Sequence, residues 1–273
     1  APLPSIDASG FVNNWSMYGN EPIDPNEQQD AIEFLQILLD RLDEKIPGRP
    51  ISKCVRGQII HTIKQINGDF QSQSFEDFIT FTLEVINKKN FSDSFDAFLE
   101  PDIFDNDNKY NVEEIGQIDA TRYHAIKKEP EILIFQLKRF DFDLSSLTRK
   151  KINSAYQIDM EVDISRLLWN KENNSPCIYE LFGIIEHSGN AEGGHYISFI
   201  KSSDIHDEEK SPSSVWRVYN DSRVSVIDES EVIKSATGGA YTRRFYDPVN
   251  KTIKTFQSTK IDSAYILFYR KKK

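Results

Sequence analysis

The sequence predicts an α+β fold in which one large antiparallel sheet dominates. Apolar residues after position 52 fall mostly in short runs typical of strands, whereas the one long amphipathic helix precedes them. Strands and helices do not alternate regularly along the chain, and the sequence contains no internal repeat. A single domain of mixed helix and antiparallel sheet therefore accounts for the pattern better than an alternating β-α-β layout.

Composition limits which partners are expected. The 273 residues are 38% hydrophobic and 12% aromatic, which is enough to bury a core. The formal net charge of −10 argues against nucleic acid or an anionic membrane as partner and suits a basic ligand. The chain has no apolar run long enough to span a bilayer and no secretory signal at its N-terminus, so we expect an intracellular protein.

The first long helix is predicted to begin at Asp24. Asp24 can act as N-cap, Pro25 suits the first helical position, and Glu27 completes a capping box. Pro47 and Gly48 predict where the helix ends. Apolar residues at helical spacing predict one buried stripe on this helix, made of Ala31, Phe34, Leu35, Leu38, Leu39 and Leu42.

The rest of the chain is predicted to form mainly strands. Residues 79–85 alternate like an antiparallel strand with one solvated face, and residues 92–99 suit a short helix capped by Ser92. The segment 102–108, rich in Asp and Asn, predicts a loop, and the dense apolar run 131–140 predicts a central strand. Further strands are predicted at residues 179–186, 196–201, 215–219, 223–227 and 264–269, and exposed polar loops at 170–175 and 202–214.

His195 is the strongest candidate for chemistry. It opens a predicted strand directly after Gly193 and Gly194, and glycines at such a position allow another backbone to approach closely. Asn220 and Asp221 end the next predicted strand, which a hairpin would place beside His195. An Asn or Asp that bonds an imidazole N–H fixes the tautomer and orientation that a general base needs. A surface histidine at a strand end and a plain turn remain open as alternatives.

Four sequence blocks, in this order, resemble the ubiquitin-specific protease family, papain-like cysteine proteases that release ubiquitin from its conjugates. Any one block could arise by chance, but four in register are specific, and the resemblance extends from about residue 20 to the end. The fat-facets-like branch of the family is the most similar. The blocks are the Gln-Asp helix box at 27–35, Leu137-Lys138-Arg139-Phe140, the histidine box at 187–196 and the block at 216–224 that carries the third catalytic residue; the closing run 264–269 is also of family type.

The resemblance implies a papain-like ubiquitin-specific protease fold with palm, fingers and thumb regions. Residues 1–273 would form one catalytic domain that lacks the N-terminal part of the helical thumb. Within it, residues 1–50 would be a thumb remnant with the Gln-Asp helix, residues 51–130 would resemble the fingers, and residues 131–273 would form the palm with the histidine box. The implied partners are ubiquitin and ubiquitinated proteins.

The resemblance also implies catalytic roles. His195 would be the general base, Asn220 would orient it, and Asp221 would support the site. In the intact enzyme a cysteine thiolate would attack the bond after the C-terminal glycine of ubiquitin, as in other thiol-dependent hydrolases.

The implied binding site for the ubiquitin tail involves five further residues. Gln29 and Asp30 would line its channel, since carboxylates pair well with the arginines of this basic tail. Gly193, Gly194 and Tyr196 would close a cleft so narrow that only the tail's two terminal glycines can thread it.

The sequence departs from the zinc-binding members of the family. Those members carry two Cys-x-x-Cys pairs on the fingers, and the corresponding positions here are Gln65 with Gly68 and Val112 with Ile115. None of these four residues is a zinc ligand. We therefore expect no metal and no cofactor, and fingers held together by packing.

The family's cysteine box, which precedes the Gln-Asp helix, has no counterpart in this sequence. The only cysteines are Cys54 and Cys177, and neither is predicted to lie at a helix N-terminus, where a thiol pKa would be lowered. We expect both thiols to be inert and the isolated chain to be inactive. Three interpretations follow: a deubiquitinase whose nucleophile lies outside this chain, an inactive ubiquitin-binding pseudoenzyme, or a scaffold domain with no ubiquitin contact.

Overall fold

The computed structural model describes residues 7–16, 24, 27–169, 175–203 and 214–272. The chain divides into two compact units, residues 1–52 and residues 53–273. Pro25, Asn26 and most of the two predicted polar loops lie outside the described residues.

The described residues contain five α-helices, one short 3-10 helix and eighteen strands. None of the helices in this part of the chain is long and apolar enough to cross a membrane. The helices are α1 (Ser9–Asn13), α2 (Ala31–Lys45), α3 (Pro50–Val55), α4 (Phe91–Leu99) and α5 (Glu229–Thr237), with the 3-10 helix at Ser165–Leu167. The strands are β1 (Gly57–Gln65), β2 (Gln71–Phe78), β3 (Thr80–Glu84), β4 (Asp102–Phe104), β5 (Tyr110–Val112), β6 (Gly116–Ile118), β7 (Ala120–Lys128), β8 (Ile132–Lys138), β9 (Phe140–Asp143), β10 (Thr148–Lys151), β11 (Glu161–Asp163), β12 (Ile178–Gly189), β13 (Gly194–Ser203), β14 (Ser214–Asn220), β15 (Arg223–Ile227), β16 (Ala240–Asp247), β17 (Thr252–Thr259) and β18 (Asp262–Lys271).

Helix α2 begins later than predicted. Its N-cap is Asp30, whose side chain accepts hydrogen bonds from the N–H groups of Ile32 at 2.7 Å and Glu33 at 3.4 Å. Residues 27–30 are not helical, so the N-cap assigned to Asp24 was wrong. Both aspartates are followed three residues later by a glutamate, and this shared capping-box pattern cannot by itself choose between them.

The predicted apolar stripe of α2 is only partly buried. None of its six members is fully buried, whereas Ile32, which lies off the stripe, is. Within the same unit the ring of Trp15 packs on Phe34 with centroids 5.0 Å apart. The predicted buried stripe was therefore wrong in its extent, because hydrophobic spacing shows which side of a helix is apolar but not how completely it is covered.

A large sheet forms the centre of the unit made of residues 53–273. Its strand order is β15-β14-β13-β12-β18-β8-β3, and β11 also pairs with β12. Every pair is antiparallel except β3 with β8, which are parallel. The predicted antiparallel sheet is thus confirmed overall, and the antiparallel pairing predicted for residues 79–85 was wrong.

The core lies where α4 and α5 pack against this sheet. Phe91 and Phe95 of α4 and Val232 and Ala236 of α5 belong to one buried cluster that also includes Phe135 of β8. Aromatic and β-branched residues favour strands because they pack well on a pleated surface. The dense apolar run at 131–140 does form a central strand, β8, between β18 and β3.

Three other boundaries differ from the sequence prediction. Asn90, not Ser92, caps α4, because its side chain accepts the N–H of Asp93 at 3.0 Å. The strand predicted at 79–85 is β3, Thr80–Glu84, and the chain changes sheets just before it, because β2 ends at Phe78 in a different sheet. The predicted loop at 102–108 begins with strand β4, which pairs with β7.

A second sheet, with order β2-β1-β7-β4, carries a separate small core. Ile63, Ile118 and Ala120 are its buried members. Among the described residues, no group of three or more His, Cys, Asp or Glu side chains is arranged to hold a metal ion. Partly buried apolar residues pack around the small core: Phe70, Phe104, Tyr110 and Val112.

Two histidines face each other across this second sheet. His61 of β1 pairs with His124 of β7, and their Nδ1 atoms are 2.8 Å apart. The Nε2 atoms contact Glu76 and Asp102 respectively, each at 3.0 Å. Only one of the two facing Nδ1 atoms can carry a hydrogen in this contact, so protonating both rings fully would break it.

We expect the free energy of unfolding to decrease as the pH falls below about 6.5. Burial lowers the pKa of His124 from 6.5, against the opposing effect of Asp102. Since the unfolded chain takes up this proton first, the stabilisation is present above 6.5 and is lost as pH falls through the lower pKa of the folded state. Urea unfolding at about pH 7.5 and about pH 5.5 measures the change. The His124→Gln variant, which cannot titrate here, should show a smaller decrease, and an equal decrease would contradict this assignment.

Candidate active site

One edge of the large sheet brings together the ends of four strands. In the register of β13, β12 and β18, Ser188 lies between His195 and Asp262. On the other side of β13, strand β14 ends at Asn220. Because neighbouring antiparallel strands run in opposite directions, the start of β13 and the ends of β12 and β14 share this edge.

The side chains of His195, Asn220 and Asp221 meet at this edge. His195 Nε2 lies 2.8 Å from Asn220 Oδ1 and 3.8 Å from Asp221 Oδ2. An amide oxygen only accepts, so Nε2 donates and Nδ1 is the lone-pair nitrogen of the neutral ring. The side chain of His195 is 48% exposed, and a reactant can therefore reach the ring.

The Asn-Asp-Ser segment is also a turn, as its composition indicated. Asn220 pairs with Arg223 across the β14–β15 hairpin, and Asp221 has a φ of 49°. Asp tolerates this left-handed conformation better than most residues. The turn and the site therefore coincide, because the tight reversal holds both side chains near the imidazole.

The loop before His195 has a defined backbone. Asn190 Oδ1 accepts the N–H groups of Glu192 at 3.0 Å and Gly193 at 2.9 Å. Gly189 has a φ of 132°, and a Cβ at Gly194 would lie 2.2 Å from the oxygen of Ser188. The role of Asn190 was missed in the sequence, although an Asn next to small residues is a known turn signal.

Beneath the edge lies a group of aromatic rings. Tyr196 contacts the ring of His187 with centroids 5.0 Å apart and stacks on Tyr265 at 6.3 Å. Phe140 contacts both His187 and Tyr265 at 5.2 Å. Tyr196 is thus half-buried against a packed support, with its backbone adjoining His195.

Lys151 is a second residue that the sequence did not single out. Its Nζ donates to the carbonyl oxygens of His187 at 2.8 Å and Ile261 at 2.5 Å, which joins the ends of β12 and β18 at the site edge. Burial, followed by the nearby charge of Arg139, lowers the pKa of Lys151 to about 8. A lysine in a run of basic residues is normally solvated, so the sequence carried no signal for this role.

Gln29 and Asp30 belong to the other unit, residues 1–52. Gln29 precedes the N-cap of α2, and the Asp30 carboxylate caps the helix. The structure therefore groups His195, Asn220 and Asp221 in one unit and these two residues in the other.

Cys177 lies far from the imidazole edge of the large sheet. Cys177 is buried and directly precedes β12, whose far end carries Gly189. The twelve residues of β12 separate those ends by roughly 36 Å at 3.3 Å per residue. Cys54 is partly exposed and lies within α3.

Several known proteins are similar to this chain in sequence or in structure. Ubiquitin carboxyl-terminal hydrolase 34 of Homo sapiens is 26% identical over 96% of this chain and 8% of its own length. Ubiquitin C-terminal hydrolase 12 of Arabidopsis thaliana is 30% identical over 92% of this chain and 23% of its own length. Among solved structures, the SAGA Ubp8/Sgf11/Sus1/Sgf73 DUB module bound to ubiquitin aldehyde matches with a TM-score of 0.68 and 25% identity, over 90% of this chain and 50% of that chain.

The chain thus spans less than a quarter of either curated relative. The match to the solved structure supports the ubiquitin-specific protease fold, with mixed helix and sheet. The family model for ubiquitin carboxyl-terminal hydrolase matches residues 4–269. Because that match includes both units and the histidine edge of the sheet, the chain belongs to the ubiquitin carboxyl-terminal hydrolase family.

Proposed function

We propose that this chain carries the base of a thiol-dependent deubiquitinase that cleaves the bond after the C-terminal glycine of ubiquitin in conjugates. The observation that carries the proposal is the 2.8 Å contact of His195 Nε2 with Asn220 Oδ1 at a solvent-accessible sheet edge. That contact fixes one ring nitrogen as donor and leaves Nδ1 to take a proton. The domain assignment proposed with it is thumb-like at 1–50, fingers-like at 51–130 and palm at 131–273.

In the proposed reaction the imidazole acts first as a general base and then as a general acid. His195 takes the thiol proton, the thiolate attacks the carbonyl of ubiquitin's last glycine, and the resulting imidazolium protonates the leaving lysine amine. A thioester forms, and water activated by His195 hydrolyses it. Asn220 and Asp221 hold the orientation of the ring, since both place an oxygen within 4 Å of Nε2.

In this proposal the thiol comes from outside the 273 residues. Cys177 is buried at the opposite end of β12, and Cys54 lies in a helix outside the large sheet. A ubiquitin probe with a thiol-reactive C-terminus should therefore leave the isolated chain unlabelled. Labelling of either cysteine would show that a resident thiol can reach the base.

The residues proposed to contact ubiquitin's tail come from both units, and each set is considered within its own unit. Gln29 and Asp30 would contact the arginines of ubiquitin's tail, and Gly193, Gly194 and Tyr196 would border its terminal glycines. The absence of side chains at the two glycines and the half-buried ring of Tyr196 support this assignment. Asp30 Oδ1 accepts the N–H groups of Ile32 and Glu33 as the helix cap.

Replacing Asp30 by Asn should weaken ubiquitin binding about fivefold. Asn keeps a side-chain oxygen that can cap α2 but removes the charge proposed to pair with the tail, which costs roughly 1 kcal/mol of binding free energy. Calorimetric titration of ubiquitin into the wild-type and variant chains measures the difference.

Glu33→Gln is the matched control, because it removes a charge from the first turn of the same helix. Glu33→Gln should change the affinity for ubiquitin less than about twofold relative to the wild type. Equal affinity of the wild type and Asp30→Asn would remove Asp30 from the tail site, and no binding of ubiquitin to the wild type would overturn the proposed function.

The second candidate function is an inactive ubiquitin-binding module. The placement of the buried Cys177 at the far end of β12 favours it. The two functions separate in one assay, in which a protein containing this domain together with any residues that precede it either hydrolyses a fluorogenic ubiquitin conjugate or binds ubiquitin without turnover. Hydrolysis that survives alkylation of all thiols would exclude both.

A further inference from the structure

The hairpin of β16 and β17, residues 240–259, stands apart from the rest of the fold. Within the described residues its two strands pair only with each other. A two-stranded hairpin is marginally stable in water unless another surface covers it. Six of its large apolar side chains are nevertheless exposed: Tyr241, Phe245, Tyr246, Val249, Ile253 and Phe256.

Both faces of the hairpin combine apolar and basic side chains. Residues directly opposite in an antiparallel pair share a face, and successive residues alternate between faces. Arg243 lies opposite Phe256, and Phe245 lies opposite Lys254, which places these four residues on one face. The other face carries Arg244, Tyr246 and Ile253 by the same register.

The charge of the hairpin is opposite to that of the chain. Residues 240–259 contain four cations and one carboxylate, in a chain whose formal net charge is −10. That carboxylate, Asp247, pairs with Lys254 at 2.5 Å and accepts the N–H groups of Val249 and Asn250 at 3.0 and 3.2 Å. Arg243 and Arg244 form no ion pair with any residue that the structure describes, so their charge is available to a partner.

The hairpin begins and ends beside the candidate active site. Its second strand leads into β18, where the carbonyl oxygen of Ile261 accepts the N–H of Gly189 at 3.4 Å and the Nζ of Lys151 at 2.5 Å. Asp262 then pairs with Ser188, the register neighbour of His195. Two strand spacings, roughly 10 Å, therefore separate the start of β18 from the strand that carries the imidazole.

We propose that the hairpin of residues 240–259 binds an acidic segment with apolar side chains in the protein to which ubiquitin is attached. This inference builds on the proposed function, since it assigns the hairpin to the modified protein rather than to ubiquitin. The basic tail of ubiquitin would be repelled by Arg243 and Arg244, whereas an acidic segment near the scissile bond would be attracted. Exposed rings interleaved with cations offer apolar contact to such a segment and steer its approach.

The test measures binding of a short fluorescein-labelled peptide of Asp, Glu and Leu to the 273-residue chain by fluorescence anisotropy. We expect binding that weakens with added salt and that falls about tenfold when Arg243→Glu and Arg244→Glu are combined. The matched control combines Lys127→Glu and Lys128→Glu, two adjacent exposed cations at the end of β7. Because these two cations lie outside the hairpin, this control should change the affinity for the peptide less than about twofold.

A measurement on the unsubstituted chain guards against misfolding of the variant. Adding the peptide should shift the backbone amide resonances of residues 240–259 in the NMR spectrum. Shifts confined to other residues, equal weakening by both double variants, or loss of self-association in the hairpin variant would each overturn the proposal.

Ubiquitin titration separates this inference from the proposed function. If the hairpin double variant binds ubiquitin as the wild type does but loses the peptide, the hairpin serves the modified protein as proposed. If it loses ubiquitin as well, the hairpin belongs to the ubiquitin side and the inference is wrong, although the proposed function stands. If the wild type binds the peptide but not ubiquitin, the proposed function fails and the inference falls with it.

Discussion

In a longer protein that supplies the thiol, as the proposed function requires, replacing His195 by Ala should lower kcat/KM for a ubiquitin conjugate by about 10³-fold or more. The ring is exposed at the edge of the large sheet, and its Nδ1 is the nitrogen proposed to take the thiol proton. Without it the thiol stays protonated at neutral pH and the leaving amine has no proton donor. Steady-state hydrolysis of a fluorogenic ubiquitin conjugate measures the loss.

The fold should survive this substitution. His195 is 48% exposed and lies at a strand end, so its removal leaves no cavity and no unpaired buried group. Unfolding by urea and ubiquitin affinity should both stay near the wild-type values. A variant that keeps turnover within about tenfold of the wild type would contradict the assignment of His195 as general base.

Asn220→Ala distinguishes orientation from proton transfer. The imidazole remains, but it loses the acceptor that fixes Nε2 as donor. We expect a smaller decrease than for His195→Ala, with partial recovery in Asn220→Asp because that residue keeps an oxygen at the same position. A structural role alone would not produce that recovery.

Much of the candidate site could be predicted from local sequence because its residues sit in a hairpin. A turn at 221–222 forces β14 and β15 together, and β14 in turn pairs with β13, which His195 opens. Asn190 could have been found in the same way, because an Asn next to small residues favours a turn. Lys151 could not, since its partners His187 and Ile261 are distant in sequence and nothing local indicates that the ammonium group is buried.

Strand boundaries show where local pattern fails. The apolar run 131–140 predicts one strand, yet the strand breaks at Arg139, whose side chain is fully buried. Its guanidinium donates to the carbonyl oxygens of Ala264, Ile152 and Ser154 at 2.8, 2.9 and 3.0 Å. A buried arginine that satisfies distant carbonyls is a tertiary feature, and hydrophobic periodicity describes only the segment itself.

The hairpin at 240–259 and helix α5 were missed for different reasons. The hairpin has apolar residues on both faces, so it lacks the one-sided alternation that marks a half-buried strand. Helix α5 buries only Val232 and Ala236, and two buried positions give a weak helical signal. The parallel pairing of β3 with β8 was inaccessible for a third reason, because it joins segments about fifty residues apart.

The largest expected loss of stability comes from Phe135→Ala. Phe135 is 0% exposed at the centre of β8, and its ring lies within 6.2 Å of four other aromatic rings. Removing the ring leaves a cavity that the surrounding sheet and helix cannot close, which costs about 3–5 kcal/mol of unfolding free energy. Urea unfolding followed by tryptophan fluorescence measures it against Phe75→Ala, a substitution of a ring that is 56% exposed and that should cost less than about 0.5 kcal/mol.

The same substitution tests whether the site depends on the core beneath it. β8 pairs with β18, β18 with β12, and β12 with β13, so the core strand and the strand of His195 are joined through two intervening strands. If the sheet transmits packing to its edge, Phe135→Ala should reduce turnover of the longer protein even under conditions where it remains folded, whereas Phe75→Ala should not. A loss below about 1.5 kcal/mol would mean that the aromatic cluster repacks around the missing ring, and the core would then be more adaptable than its close ring contacts indicate.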